Sequence, residues 1–306
     1  MKETNIISLI PIADLAEEMQ SYMPVSISIG PGGEPCVLLT NEQPPLQQGM
    51  FPQTVTEEAY DYKIVILQEA GTQVLHLPNE HWNYHFIQQL DHGHILLAGA
   101  RSEYHSADHI EENARVFTME GECVRSFCLG DGIEDLYVAP DNSIWTSYFD
   151  EGVYGNFGWD TPIGRHGLIR WDDEGRQLEH HDSSGDHHIS DCYAMNVVSD
   201  EEVWFYYYMD FELGVRKAGQ SVYYMPDVEG ASHFAMHGDK LLMNGGYGDQ
   251  EQFFELERNG SRYVTKRFVQ FRKPNGSLLR PQATSNRGRQ LLFLDGTELF
   301  RYELGD

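Results

Sequence analysis

Glu134-Asp135-Leu136-Tyr137-Val138-Ala139-Pro140-Asp141-Asn142-Ser143-Ile144-Trp145-Thr146-Ser147-Tyr148-Phe149 is two strand-like runs around a turn. Leu136 and Val138 alternate along the first run, as in a strand with one buried face. Asp141-Asn142-Ser143 are short polar residues that tolerate turn geometry. Ile144 to Phe149 has the β-branched and aromatic content of a second strand. Downstream, Gly167 to Trp171 reads as a third strand, Asp172-Asp173-Glu174-Gly175 as a turn, and Arg176 to His181 as a fourth. One antiparallel unit of strands a, b, c and d results.

The unit recurs. Runs like Ile144-Trp145 stand at Val37-Leu38-Leu39, Ile95-Leu96-Leu97, Val203-Trp204-Phe205, Leu241-Leu242 and Leu291-Leu292-Phe293, with spacings of 58, 49, 59, 38 and 50 residues. A second ladder of glycines marks the c–d turns, at Gly71, Gly121, Gly175, Gly219, Gly260 and Gly305. Repeats of this length with four strands each define a β-propeller. The expectation is an all-β, six-bladed β-propeller in a single domain over residues 1–306, with blades near 24–79, 80–131, 132–188, 189–229, 230–274 and 275–306. The last unit ends before its fourth strand, so the N-terminal run Asn5 to Ile12 is expected to close that blade and cover both edges. Ala13 to Met23 reads as one short helix.

The chain carries a net charge of −27, which argues against nucleic acid and anionic membranes as partners. No stretch approaches the roughly 18 apolar residues of a membrane span. The four cysteines form no C-x-x-C pair, which suits a reducing, cytoplasmic setting. From Arg258 onward ten Lys/Arg face four Asp/Glu. Residues 262–273 are therefore either paired with acids inside the fold or a basic edge for self-association.

Ile144-Trp145-Thr146 and Val203-Trp204-Phe205, each after a polar a–b turn, resemble the repeat core of NHL-type propellers. The streptogramin lyases and the gluconolactonase/regucalcin family are similar in this respect. The resemblance implies the propeller fold and, with the lyases and lactonases, a metal-assisted lyase or hydrolase. The lactonase metal is held by Glu, Asn and Asp side chains, and Glu134 alone is suitably placed to match.

The long connections are Ser102 to Asn113, Asp150 to His166, Asp182 to Asp191 and Gly245 to Gln252. All are b–c or d–a links, which leave a propeller on one face, and long loops on a rigid scaffold tend to carry function. In Asp150 to Asp160 aromatic rings alternate with glycines, so Tyr154 and Trp159, with Glu151 and Asn156, are candidates to hold a ligand. The alternative is that these rings pack on their own scaffold. Tyr148 belongs to the same candidate surface, as do Asp150, Asp210 and Asp249, acids at b-strand ends, with Arg101 at the equivalent place in the second unit. His85 and Glu134 begin equivalent a strands, and with His187 or His188 they are the acid–base candidates if the protein is an enzyme. No cofactor is required by any motif, and a divalent cation is the one this set leaves open. The expected partner is a protein, a peptide or a small molecule.

Overall fold

Asp141 accepts the backbone N–H and the hydroxyl of Ser143 on one carboxylate oxygen, at 3.0 and 2.6 Å, and so locks the a–b turn of the third repeat. The flanking strands, Ile133–Val138 and Ile144–Tyr148, pair antiparallel, and Leu168–Trp171 and Gln177–His180 complete a four-stranded sheet. The computed structural model describes residues 3–46, 53–248 and 252–305. Three other four-stranded sheets have the same meander order. They are Met23–Ile29 with Pro35–Thr40, Val55–Gln68 and Gly71–Trp82; Phe86–Gln89 with Ile95–Ala98, Ala114–Phe117 and Cys123–Phe127; and Ala283–Arg287 with Gln290–Asp295, Glu298–Glu303 and Pro11–Asp14. A nine-stranded sheet contains two further meanders, Asp191–Ser199 to Gln220–Pro226 and Phe234–His237 to Arg262–Arg272. They join where Met225 and Pro226 pair in parallel with Arg262 and Tyr263. The protein is all-β and propeller-like.

The chain divides into two compact units, residues 17–191 and residues 1–16 with 192–306. Each has its own cores between successive sheets. In the first, Leu96, Val116, Leu136, Ile144 and Trp171 pack together, and Leu38, Ile64, Leu97 and Phe117 form a second cluster. In the other, Trp204, Tyr206, Phe234 and Leu256 make one cluster and Phe253, Phe271, Phe293 and Phe300 another. Each such side chain contributes roughly 1.5–3 kcal/mol when fully buried.

Two expectations at the N-terminus are corrected. The strand completing the last meander is Pro11–Asp14, paired with Glu298–Glu303, and not the whole run from Asn5. Thr4–Ser8 pairs in parallel with Phe268–Arg272 and extends the neighbouring sheet. Pro11 has no N–H for a ladder, so the chain changes partners there. Residues 13–23 hold no helix: strand runs to Asp14, turns follow, and strand resumes at Met23. The basic strand finds acids inside its own unit. Arg262 meets Asp227 at 3.1 Å, Lys266 meets Glu257 at 3.5 Å, Arg267 meets Glu255 at 2.8 Å and Lys273 meets Glu298 at 3.0 Å. No helix among the described residues is long and apolar enough to cross a membrane.

Candidate functional site

Arg101 follows the second b strand and is buried, with 1% of its side chain exposed. Its Nε and Nη2 donate to the two oxygens of Asp131, both at 2.8 Å, and its Nη1 donates to Glu151 at 2.6 Å. The guanidinium lies 4.0 Å from the centre of the Phe157 ring and 5.3 Å from that of Phe149. Burial pushes the Asp131 carboxyl up, opposed by Arg101 and by N–H groups of Ser102 and Gly132. Close backbone approach makes this knot feasible. A Cβ on Gly132, at φ +72°, would stand 2.4 Å from the Gly152 backbone. Glycine is needed there so that the short helix Asp150–Tyr154 can bring Glu151 to Arg101.

The aromatic connection of the third repeat is thereby folded down. Trp159 is 8% exposed, its Nε1 donates to the Ser102 carbonyl at 2.7 Å, and its ring lies 5.1 Å from that of Tyr104. Tyr148 is wholly buried and its hydroxyl donates to the Leu129 carbonyl, so it belongs to the core. Asn156 accepts the Phe157 N–H at 2.8 Å. Asp150 accepts the Glu151 N–H at 2.7 Å on the exposed end of the helix. Tyr154 alone among these rings is exposed, at 63%; its hydroxyl donates to Ser190 Oγ at 2.9 Å and lies 3.3 Å from His188 Nε2. The carbonyl of His187 accepts from His181 Nε2 at 2.7 Å. Asp210 is exposed on a turn, and Asp249 lies outside the described residues.

Glu134 and Asp191 both sit at the start of an a strand. Glu134 is exposed at the surface, yet desolvation by the surrounding protein pushes its carboxyl up to about 8, with Asp135 and Asp191 adding repulsion. Burial followed by Asp150 pushes Asp191 up to about 6. His85 is half-buried and is pushed down to about 4 by desolvation, against a hydrogen bond to the Asn83 backbone and with help from Arg101. Its Nδ1 accepts the Ala100 N–H at 3.1 Å. The main influences on His85 are thus burial, Asn83 and Arg101, while those on Glu134 are burial, Asp135 and Asp191.

The unit containing residues 192–306 holds a cavity of about 610 Å³ that the sequence did not disclose. Phe253, Phe271 and Phe293 supply apolar walls, and His233, Tyr247 and Arg280 supply polar edges. Beside these strand residues, the lining draws on the links before Phe234–His237 and before Ala283–Arg287 and on the link after Lys240–Asn244, which are d–a and b–c connections. His233 is half-buried, is pushed down to about 4 by desolvation, and is bonded to the Thr284 backbone. A signal for it existed. His85-Phe86 and His233-Phe234 are the same dipeptide at the same strand start. The two dipeptides stand at different distances from their b strands, because residues 90–94 separate a from b in one repeat and only 238–239 in the other.

No family model matches the chain, and no curated protein does. Solved structures do match. U3-55K is 9% identical with a TM-score of 0.50, over 94% of this chain and 99% of that one. The WD40 repeats of RRP9 are 9% identical with a TM-score of 0.50, over 94% and 98%. A streptogramin B lyase is 14% identical with a TM-score of 0.49, over 92% and 93%. At such identities the likeness to the two structures at 0.50 shows the fold alone, and that fold is a β-propeller.

Proposed function

We propose that this chain is a six-bladed β-propeller that binds a small organic ligand in the cavity between Phe253, Phe271, Phe293, His233 and Arg280. The four separate sheets and the two meanders of the nine-stranded sheet support six blades, with Pro11–Asp14 as the fourth strand of the last. Four cysteines without disulfides support a cytoplasmic setting. The observation that carries the function is the cavity itself. Its 610 Å³ suits a drug-sized molecule, and ligand sites combine apolar walls with a few converging polar groups. The His233 imidazole, neutral at pH 7, offers a hydrogen bond without a second positive charge beside Arg280. The aromatic walls and the guanidinium favour a flat ligand with an anionic group.

Anilinonaphthalene sulfonate, a flat aromatic anion, is the probe. It should bind the native protein with a fluorescence rise, and Tyr247→Ala and Arg280→Ala should each weaken binding about tenfold, ~1.4 kcal/mol. Equal binding by wild type and both variants would remove the cavity from consideration.

One observation favours a second reading, a lyase or hydrolase. Glu134 and Asp191 are pushed up to about 8 and about 6, and carboxyls split in this way are suited to acid–base work. The unfolded chain ionises Glu134 near 4.5 while the folded chain holds the proton to about 8. Stability contributed by this group is therefore complete below 4.5 and falls as pH rises toward 8. Glu134→Gln is expected to flatten that decline, measured as denaturant midpoints across the same window. Parallel curves for wild type and variant would show that Glu134 titrates normally.

A further inference from the structure

Glu103, His105 and Glu111 each bring one donor atom to a common point of the 17–191 unit, all within 4.8 Å of one another. They lie on and beside the hairpin of Tyr104–Ser106 and His109–Ile110. The hairpin is held from both sides. The Glu103 N–H donates to Glu111 Oε2 at 3.0 Å, and the Glu111 N–H donates to the Glu103 carbonyl at 3.0 Å. Below it, Ser102 Oγ donates to the Glu111 carbonyl at 2.7 Å, and the Ser102 N–H donates to Asp131 at 2.9 Å. The Tyr104 N–H donates to the Phe157 carbonyl at 2.9 Å. Glu111 therefore stands on a fixed base with its second oxygen, Oε1, turned to His105.

The His105 ring lies between the carboxylates, with Nδ1 3.7 Å from Glu103 Oε1 and Nε2 3.6 Å from Glu111 Oε1. Both separations are too long for a hydrogen bond. Either one, taken alone, is close to the spacing of two donors on one ion, since bonds of roughly 2.0–2.2 Å at tetrahedral angles put donor atoms about 3.4 Å apart. One ion can take only one ring nitrogen. Glu103 and His105 are exposed enough to swing, while Glu111 is 12% exposed and held. The His109 ring stacks on His105 with centroids 4.4 Å apart, which limits the orientations His105 can take.

We propose that this hairpin binds a divalent transition-metal ion through Glu103, Glu111 and one nitrogen of His105, leaving a position open to water or a ligand. Two carboxylates with one imidazole suit Zn²⁺, Co²⁺ or Mn²⁺, whereas the imidazole disfavours Ca²⁺ and Mg²⁺. The ion offsets repulsion between the two carboxylates and ties both strands of a very short hairpin together. This site does not depend on the ligand cavity in the other unit.

Co²⁺ added to chelator-treated full-length protein is expected to bind at one equivalent and to give a visible absorption band. His105→Ala and Glu111→Gln are each expected to weaken binding at least tenfold, with His180→Ala unchanged. His105 is exposed, so His105→Ala decides the question should Glu111→Gln fail to fold. Amide signals of residues 102–113 should broaden first as Co²⁺ is added. Absence of Co²⁺ and Zn²⁺ uptake, unchanged uptake by His105→Ala, or broadening centred on residues 180–188 would overturn the assignment.

Discussion

Arg101→Ala is expected to destabilise the protein by roughly 3–5 kcal/mol, the cost of stranding a buried charge. Asp131 is 1% exposed and receives both of its side-chain hydrogen bonds from Arg101. With the guanidinium gone, its carboxylate keeps only backbone N–H partners, from Ser102 and Gly132, and its charge must be protonated, be reached by water, or stay uncompensated in the interior. Glu151 loses less, because at 34% exposure it can turn to solvent. The damage should spread, because Asp131 also accepts the Ser102 N–H that supports the hairpin base. Arg101→Met with Asp131→Leu should recover part of the loss, since an apolar pair replaces a buried ion pair at little net cost while the Ser102 N–H loses its acceptor. Urea unfolding of the three proteins measures this. A loss below about 1 kcal/mol in Arg101→Ala would place the pair in the range of exposed ion pairs and refute its burial.

What was legible in the sequence follows from which interactions are local. The third repeat was read within one or two residues at every strand, because its turns are built from neighbours: Asp141 bonds Ser143, and Asp172 bonds Arg176. The N-terminal register was misplaced because Ile6, Ile7, Leu9, Ile10 and Ile12 fit more than one strand partner equally well. Pro11 decides between them only once the partners are known. Arg101 reads in the sequence as the equivalent of the acids at b-strand ends on a ligand surface, but its partner Asp131 is 30 residues away and nothing nearby announces it. The cavity was missed for the same reason. Phe253, Phe271 and Phe293 stand on three separate strands, and their convergence beside His233 depends on how those strands are brought together.

Trp159→Ala is expected to destabilise the protein by roughly 3–5 kcal/mol, as for other large aromatic truncations in a core. The sequence, with its alternating glycines and rings, leaves two readings open, a ligand-holding ring or one packed on its own scaffold. The structure gives it the second task. The indole covers the end of the second repeat, lies tilted against the Tyr104 ring and satisfies the Ser102 carbonyl, which is buried. Alanine there would leave a hole the size of the indole and an unpaired carbonyl in it. Glycines 155 and 158 adopt φ of +101° and +81°, so the loop is shaped to deliver the ring inward and has few ways to collapse around the gap. Trp159→Phe should restore most of the packing but not the hydrogen bond, leaving a deficit of about 1–3 kcal/mol. The same loop offers an internal control. Tyr154, exposed at its other end, should tolerate alanine within about 1 kcal/mol. If thermal and urea unfolding place Trp159→Ala beside Tyr154→Ala, the indole is a surface ring, and the ligand-holding role suggested by its sequence context returns.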